Sequence, residues 1–426
     1  MTKLTYRKII LPNGLRLIHI PTQSLATTVL ILVAAGSEYE ENKKISGLSH
    51  FLEHLCFKGT KKRPKSRQIA EELDSLGAEY NAFTGNETTG YFAKAANKHF
   101  CRILDIVSDL YLNPLIDPVE TEREKGVILE EINMYEDLPN RKVHDNFRAL
   151  LYGDQPAGWP ISGFKQTIQK MSRHDILNYR QQHYLAQKTA VVVAGGTKED
   201  VVGLVKNYFK EMPSGSVVKK PKVIEKQTEP QAHVQTKEVD QSHLVLGARA
   251  FNIFDPRRHS LVVLNNILGV GMSSRLFYRI REKMGAAYYV YSFYDLASDY
   301  GYLAAAAGVD KNRLKEATTA ILDEFIDLVR RPVETKELNK AKDHVIGNLI
   351  LNLETSDEVA SFYGSEEIIT GQLMTPDEVI KNIQAVKSED VWETAKYIFQ
   401  EKKLNLALVG PSGEEKELKS WLNSIS

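Results

Sequence analysis

The residues best suited to chemistry lie together in Ser49-His50-Phe51-Leu52-Glu53-His54-Leu55. On a helix, His50 and His54 project from one face, one turn apart, and Glu53 shares that face. Two imidazoles at this spacing can hold one divalent metal, and a neighbouring carboxylate can act on a water there, which is the core of a zinc hydrolase. The same string also fits a helix with two surface histidines, because it lacks the third protein ligand that a metal site of this kind needs.

A third donor has to come from elsewhere. Asp117-Pro118-Val119-Glu120 reads as a helix start, with an aspartate N-cap, proline at the first position and a glutamate three residues after the cap, as in a capping box. The helix that follows carries Glu124 and Glu131 nearly two turns apart on one face, with Glu130 adjacent. A carboxylate from a second helix would complete a His-His-Glu site, although a glutamate on a helix is most often simply solvated.

Around these residues the chain alternates strand and helix patterns. Residues 6–35 read as β structure folded at Pro12-Asn13-Gly14. A charged loop, Glu38 to Lys44, leads to the histidine helix, placed at Ser46 to Phe57 with Gly59 as a left-handed cap. Ser66 opens a helix carrying Ile69, Leu73 and Leu76 that Gly77 closes, and strands Glu79–Thr84 and Thr88–Ala95 flank a Gly85-Asn86 turn. Helices are expected at His99–Leu112, Met171–Tyr184 and Asp200–Lys210, with a buried strand at Thr189–Gly196. Between Met212 and Gln231, prolines, lysines and glutamates with no hydrophobic period mark a linker.

The second half repeats the first. Pro118-Val119-Glu120-Thr121 recurs as Pro332-Val333-Glu334-Thr335, and Val191–Gly195 as Leu406–Gly410, at offsets of 214 and 215 residues. Such matches point to duplication. The expected fold class is therefore α+β, with homologous domains at 1–212 and 232–426 joined by the linker 213–231. The repeat is not chemical: Val345 stands where Glu131 would recur, and no histidine pair matches His50 and His54. Gly269-Val270-Gly271 lacks the third glycine and the preceding strand of a dinucleotide-binding turn.

Composition sets the outer bounds. The chain has 426 residues, 42% hydrophobic and 26% charged, with 55 basic and 55 acidic side chains. That is a globular composition, with no charge bias toward nucleic acid or an acidic membrane. Two cysteines, Cys56 and Cys101, form no disulfide framework and suggest reduced thiols. The N-terminus lacks a signal-peptide pattern and no apolar run is long enough to span a bilayer, so a cytoplasmic location is expected.

Taken together, His50-Phe51-Leu52-Glu53-His54, the helix with Glu124 and Glu131, Tyr80-Asn81-Ala82-Phe83-Thr84 and Arg281-Glu282-Lys283-Met284-Gly285-Ala286-Ala287-Tyr288 resemble the inverzincin metallopeptidases, the family of pitrilysin, insulysin and the mitochondrial processing peptidase. The resemblance implies a zinc endopeptidase in which His50, His54 and Glu131 bind Zn2+, Glu53 is the general base that activates the water, and Glu124 orients a ligand histidine. Glu130 is the rival ligand. Asn81 and Ala82 would line an edge to which an extended peptide or unfolded segment adds as a strand. Arg281 and Tyr288 would donate hydrogen bonds to the substrate from an opposing half.

By the same resemblance, each domain is a mostly antiparallel sheet packed with helices, and the chain corresponds to one half of a clamshell. Because it carries both the zinc motif and the arginine and tyrosine, a homodimer chamber with two equivalent sites is expected. A heterodimer with a distinct partner chain, or a noncatalytic scaffold subunit of this fold, are the alternatives. Neither nucleic acid nor membrane is an expected partner. Phe57, on the histidine face, fits a pocket lining less well than core packing.

Overall fold

Pro12-Asn13-Gly14 turns the chain as its residue types predict: Gly14 adopts φ +90° and donates its N–H to the Leu11 carbonyl, so β1 (Arg7–Ile10) returns antiparallel as β2 (Arg16–Pro21). These elements come from a computed structural model that describes residues 4–423. With β3 (Ala26–Val33), β4 (Glu79–Thr84), β5 (Thr89–Ala96) and β6 (Thr189–Gly195) they form a sheet ordered β1-β2-β6-β3-β5-β4. The β2–β6 pair is parallel and the remaining neighbours are antiparallel. β4 is an edge.

Val29–Val33 of β3 and Ala190–Ala194 of β6 are unbroken apolar runs because both faces of their sheet are covered. Val29, Ile31 and Val33 enter a core beneath helices Leu48–Cys56 and Phe100–Leu112. Leu30, Leu32 and Val192 face the other way and pack with Val359, Ala360 and Tyr363 of helix Ser356–Thr370. Gly364 marks the closest approach of that helix, since a Cβ there would lie 2.6 Å from Leu32 Cδ1.

A second sheet contains β7 (Gln231–Thr236), β8 (Gln241–Arg249), β9 (Ala287–Leu296), β10 (Gly301–Asp310) and β11 (Leu404–Gly410), in the order β7-β11-β8-β10-β9. Its one parallel pair, β7–β11, corresponds to β2–β6, and its edge β9 corresponds to β4. Matching strand order and matching parallel pair are what a duplicated α+β fold requires. Helix Pro139–Tyr152 covers one face through Val143, Phe147 and Leu151. Helices Arg258–Gly269, Leu314–Arg330 and Ser388–Ile398 bury residues against the other.

The compact units do not follow the consecutive stretches 1–212 and 232–426. One comprises the chain up to Ile132 with Pro160–Pro221 and Ile350–Pro376; the other comprises Asn133–Trp159, Lys222–Leu349 and the chain from Asp377. Each half of the sequence thus lends a helix to the unit built around the other half's sheet. Helical periodicity announces a buried face without naming the sheet that buries it, which is why the sequence alone does not reveal the exchange. Residues 212–228 carry neither helix nor strand.

One local expectation is corrected. The histidine helix spans Leu48–Cys56, and Gly59 does not cap it: Phe57, in ordinary right-handed geometry, occupies that place. Gly59 has φ +141° and is required by close approach, because a Cβ would stand 2.4 Å from the Pro64 carbonyl oxygen. The helix expected at Met171–Tyr184 spans Arg173–His183, with the Ser172 hydroxyl capping it by accepting from Asp175 N–H at 3.2 Å, and a separate short helix, Lys165–Lys170, precedes it.

Candidate active site

Leu48, Phe51, Leu52, Leu55 and Cys56 are buried, a spacing that seats one face of the histidine helix on the core and turns His50, Glu53 and His54 the other way. The start of this helix is fixed twice. Gly47 has φ +92°, with the space for a Cβ taken by the Ser162 carbonyl oxygen at 2.6 Å. Buried Glu40 accepts from Gly47 N–H and Ser49 N–H, each at 2.7 Å, while burial pushes its carboxyl up to about 8 against these donors. The Ser49 hydroxyl in turn meets Tyr179 Oη at 2.8 Å.

The acidic helix, Pro118–Asp137, begins as its sequence predicts, with Asp117 Oδ1 accepting from Val119 N–H at 2.8 Å and Glu120 N–H at 3.1 Å. Glu120 itself accepts from Arg123 at 2.5 Å. About three turns past Glu120, Glu131 Oε2 lies 3.6 Å from His50 Nε2 and 3.5 Å from His54 Nε2, and the two imidazole nitrogens are 3.2 Å apart. Glu130, one residue earlier, is exposed. Tetrahedral zinc with bond lengths of about 2.0–2.1 Å places neighbouring donor atoms about 3.3 Å apart. The donor set His50, His54 and Glu131 therefore fits zinc in both chemistry and spacing.

Glu124 is buried behind His54. Its Oε1 accepts from His54 Nδ1–H at 2.9 Å, leaving Nε2 to face His50 and Glu131, and its Oε2 pairs with Lys58 Nζ at 2.7 Å. Burial works against charge on Glu124, but His54 and Lys58 outweigh it and hold the carboxyl below its usual value. Burial likewise opposes an imidazolium at His54, yet Glu124 and the carboxylates of Glu53 and Glu131 raise its pKa. For Glu53 burial dominates and raises the carboxyl, with Glu131 adding to the effect and a hydrogen bond from Thr84 opposing it.

Asn81 and Ala82 lie on edge strand β4. Asn81 is exposed, and its Oδ1 accepts from Ala82 N–H at 2.9 Å. At the end of the same strand, Thr84 Oγ1 donates to Glu53 Oε2 at 2.5 Å. Arg281 and Tyr288 belong to the other compact unit. Arg281 is exposed on a π-helical turn, Phe277–Lys283, with its guanidinium 5.1 Å from the Phe277 ring centre. Tyr288 is 74% exposed at a bulge in edge strand β9, where the pairing passes from Gly308↔Tyr289 to Val309↔Ala287. Phe57 is half-buried against the core. Sequence reasoning missed Glu40, Lys58 and Thr84, whose partners are brought to them by the fold.

The chain matches the family model described as Insulinase (Peptidase family M16) over residues 17–164, and the one described as Peptidase M16 inactive domain over residues 170–345. The chain belongs to the M16 peptidase family. Among similar proteins is an uncharacterized zinc protease, YmxG, of Bacillus subtilis, 35% identical over 94% of this chain and 97% of that protein. Another, SCO5738 of Streptomyces coelicolor, is 30% identical over 96% of this chain and 90% of its own length. The fold matches a crystal structure of a protease from Helicobacter pylori with TM-score 0.88 at 23% identity, covering 96% of this chain and all of that one. It matches a peptidase M16 inactive domain from Pseudomonas fluorescens equally well, with TM-score 0.88 at 17% identity over 97% of this chain and 100% of the other. M16 membership and a donor set that fits a metal support a metallopeptidase function. Among the described residues, no helix is long and apolar enough to cross a membrane.

Proposed function

We propose that this chain is a zinc-dependent endopeptidase that hydrolyses peptides or unfolded protein segments laid along β4 as an added strand. The observation that carries the reading is the convergence, in one compact unit, of a zinc-compatible donor set, a half-buried acid and an edge strand that touches that acid. A bound zinc ion supplies Lewis acidity, making water nucleophilic near neutral pH and polarising a peptide carbonyl.

The protein groups do the rest. His50, His54 and Glu131 hold the ion, with Glu124 fixing the His54 ring. Glu53 takes the proton from the attacking water and returns it to the leaving amine. A substrate carbonyl replaces Asn81 Oδ1 on the Ala82 N–H, so affinity comes through backbone bonds that read little side-chain sequence. Arg281 and Tyr288 donate to the substrate carbonyl or its oxyanion from a second copy in a homodimer chamber. Free thiols at buried Cys56 and exposed Cys101 suit a cytoplasmic setting.

The test is incubation of the zinc-loaded protein with a mixed set of unstructured peptides and with a folded domain containing the same segments, read by mass spectrometry. Cleavage of the peptides and sparing of the folded domain is expected. Intact peptides in the presence of bound zinc would overturn the proposal.

A further inference from the structure

We infer that Thr84 is a positioning residue through which the edge strand aims the Glu53 carboxylate; this rests on the peptidase reading above. Side chains alternate along β4, so Tyr80, Ala82 and Thr84 share the half-buried face while Glu79, Asn81 and Phe83 point to solvent. Tyr80 and Ala82 pack against the core. Thr84, last in the strand, instead spends its hydroxyl on Glu53 Oε2, at the 2.5 Å separation of a charge-assisted O–H···O⁻ bond.

A glutamate carboxylate turns broadly about its last torsion, so a base on an otherwise unrestrained side chain presents its oxygens in many directions. Pinning Oε2 to Thr84 leaves Oε1 as the oxygen that meets the water proton, and it sets the plane in which that oxygen lies. The pin also has a consequence for binding. Thr84 pairs on one side with Thr89 of β5, and among the described residues β4 has no strand neighbour on its other side. A peptide that adds to that side orders the strand along its length, including its last residue. Backbone recognition of substrate and orientation of the base are thereby coupled through one hydroxyl.

Because the peptide is bound by main-chain groups, removing the hydroxyl should leave binding alone and lower turnover. Thr84→Val keeps shape and strand propensity, and is expected to lower kcat by roughly 10- to 100-fold, the scale of effect of a misplaced catalytic group. KM, the affinity of a labelled unstructured peptide for the metal-free protein, and zinc content should remain at wild-type values. Thr84→Ser should recover most of the loss, and Thr84→Ala substitutes for the valine variant if that fails to fold.

Wild-type kcat in Thr84→Val, or a loss shared by kcat, peptide affinity and zinc content, would overturn the inference while leaving the peptidase reading intact. Failure of the wild type to cut would remove the peptidase reading and this inference with it, whereas wild-type cutting by Glu53→Gln would remove the base role of Glu53, and this inference, while leaving a peptidase.

Discussion

Glu130 and Glu131 are neighbours in sequence, yet a turn of about 100° around the helix axis separates an exposed carboxylate from one that meets two imidazoles. Glu131→Gln is expected to abolish stoichiometric zinc binding in a chain that still folds, and Glu130→Gln to retain it, as measured by metal analysis after dialysis. Retained zinc in Glu131→Gln would move the ligand elsewhere. That His50, Glu53 and His54 share one helix face, and Glu124 and Glu131 share another, was legible because spacing on a helix states which side chains lie together. Lys58 and Thr84 were not, because a loop lysine and a strand threonine acquire partners only when separate elements pack. The choice between Glu130 and Glu131 rested on resemblance until the coordinates placed one at the histidines and the other in solvent.

At the scale of the element, the histidine helix depends on groups outside it. Glu40→Ala leaves the Gly47 and Ser49 N–H groups buried without their acceptor. The expected cost is about 2–6 kcal/mol, since each of the two orphaned donors costs roughly 1–3 kcal/mol. Urea denaturation checks this, and a wild-type midpoint would contradict it. The sequence placed Glu40 in a charged loop, where composition gives no hint of burial. Turns and helix starts were better read: Gly14, Gly77 and Asp117 act as their residue types demand, because their geometry is local. Gly59 was misread as a cap because a glycine needed for close approach looks identical in sequence to one needed to end a helix. Gly364 is of the former kind, and Gly364→Val is expected to destabilise by about 1–3 kcal/mol by forcing its helix away from Leu30, Leu32 and Val192.

At the scale of the whole molecule, duplication was legible and the exchange of helices between units was not. Stability should also carry a histidine signature. Burial lowers His144 and His259 to about 4, and His183, beside Lys188 as well, to about 3, from an ordinary value of 6.5. Between pH 6.5 and those values the unfolded chain binds protons that the folded chain refuses, so stability is whole above pH 6.5 and falls as pH drops through the window. Urea midpoints measured from pH 7 to pH 4 should decline, and less steeply in His144→Phe, which keeps the packing against Phe293 but cannot titrate. An unchanged slope would contradict this.

The homodimer arrangement has its own test at this scale. Glu53→Gln and Arg281→Ala should each be inactive alone, and an equal mixture should regain about a quarter of wild-type activity, because half the dimers then contain one intact site of two. No recovery on mixing would contradict a site shared between copies.

The central claim is that Glu53 acts as the base at a zinc site built by His50, His54 and Glu131. Its most direct test sets wild type beside Glu53→Gln, both with zinc content measured, against one unstructured peptide. Equal zinc in both is expected, with kcat lower in the variant by at least about 100-fold. Comparable cleavage by the zinc-loaded variant would contradict it.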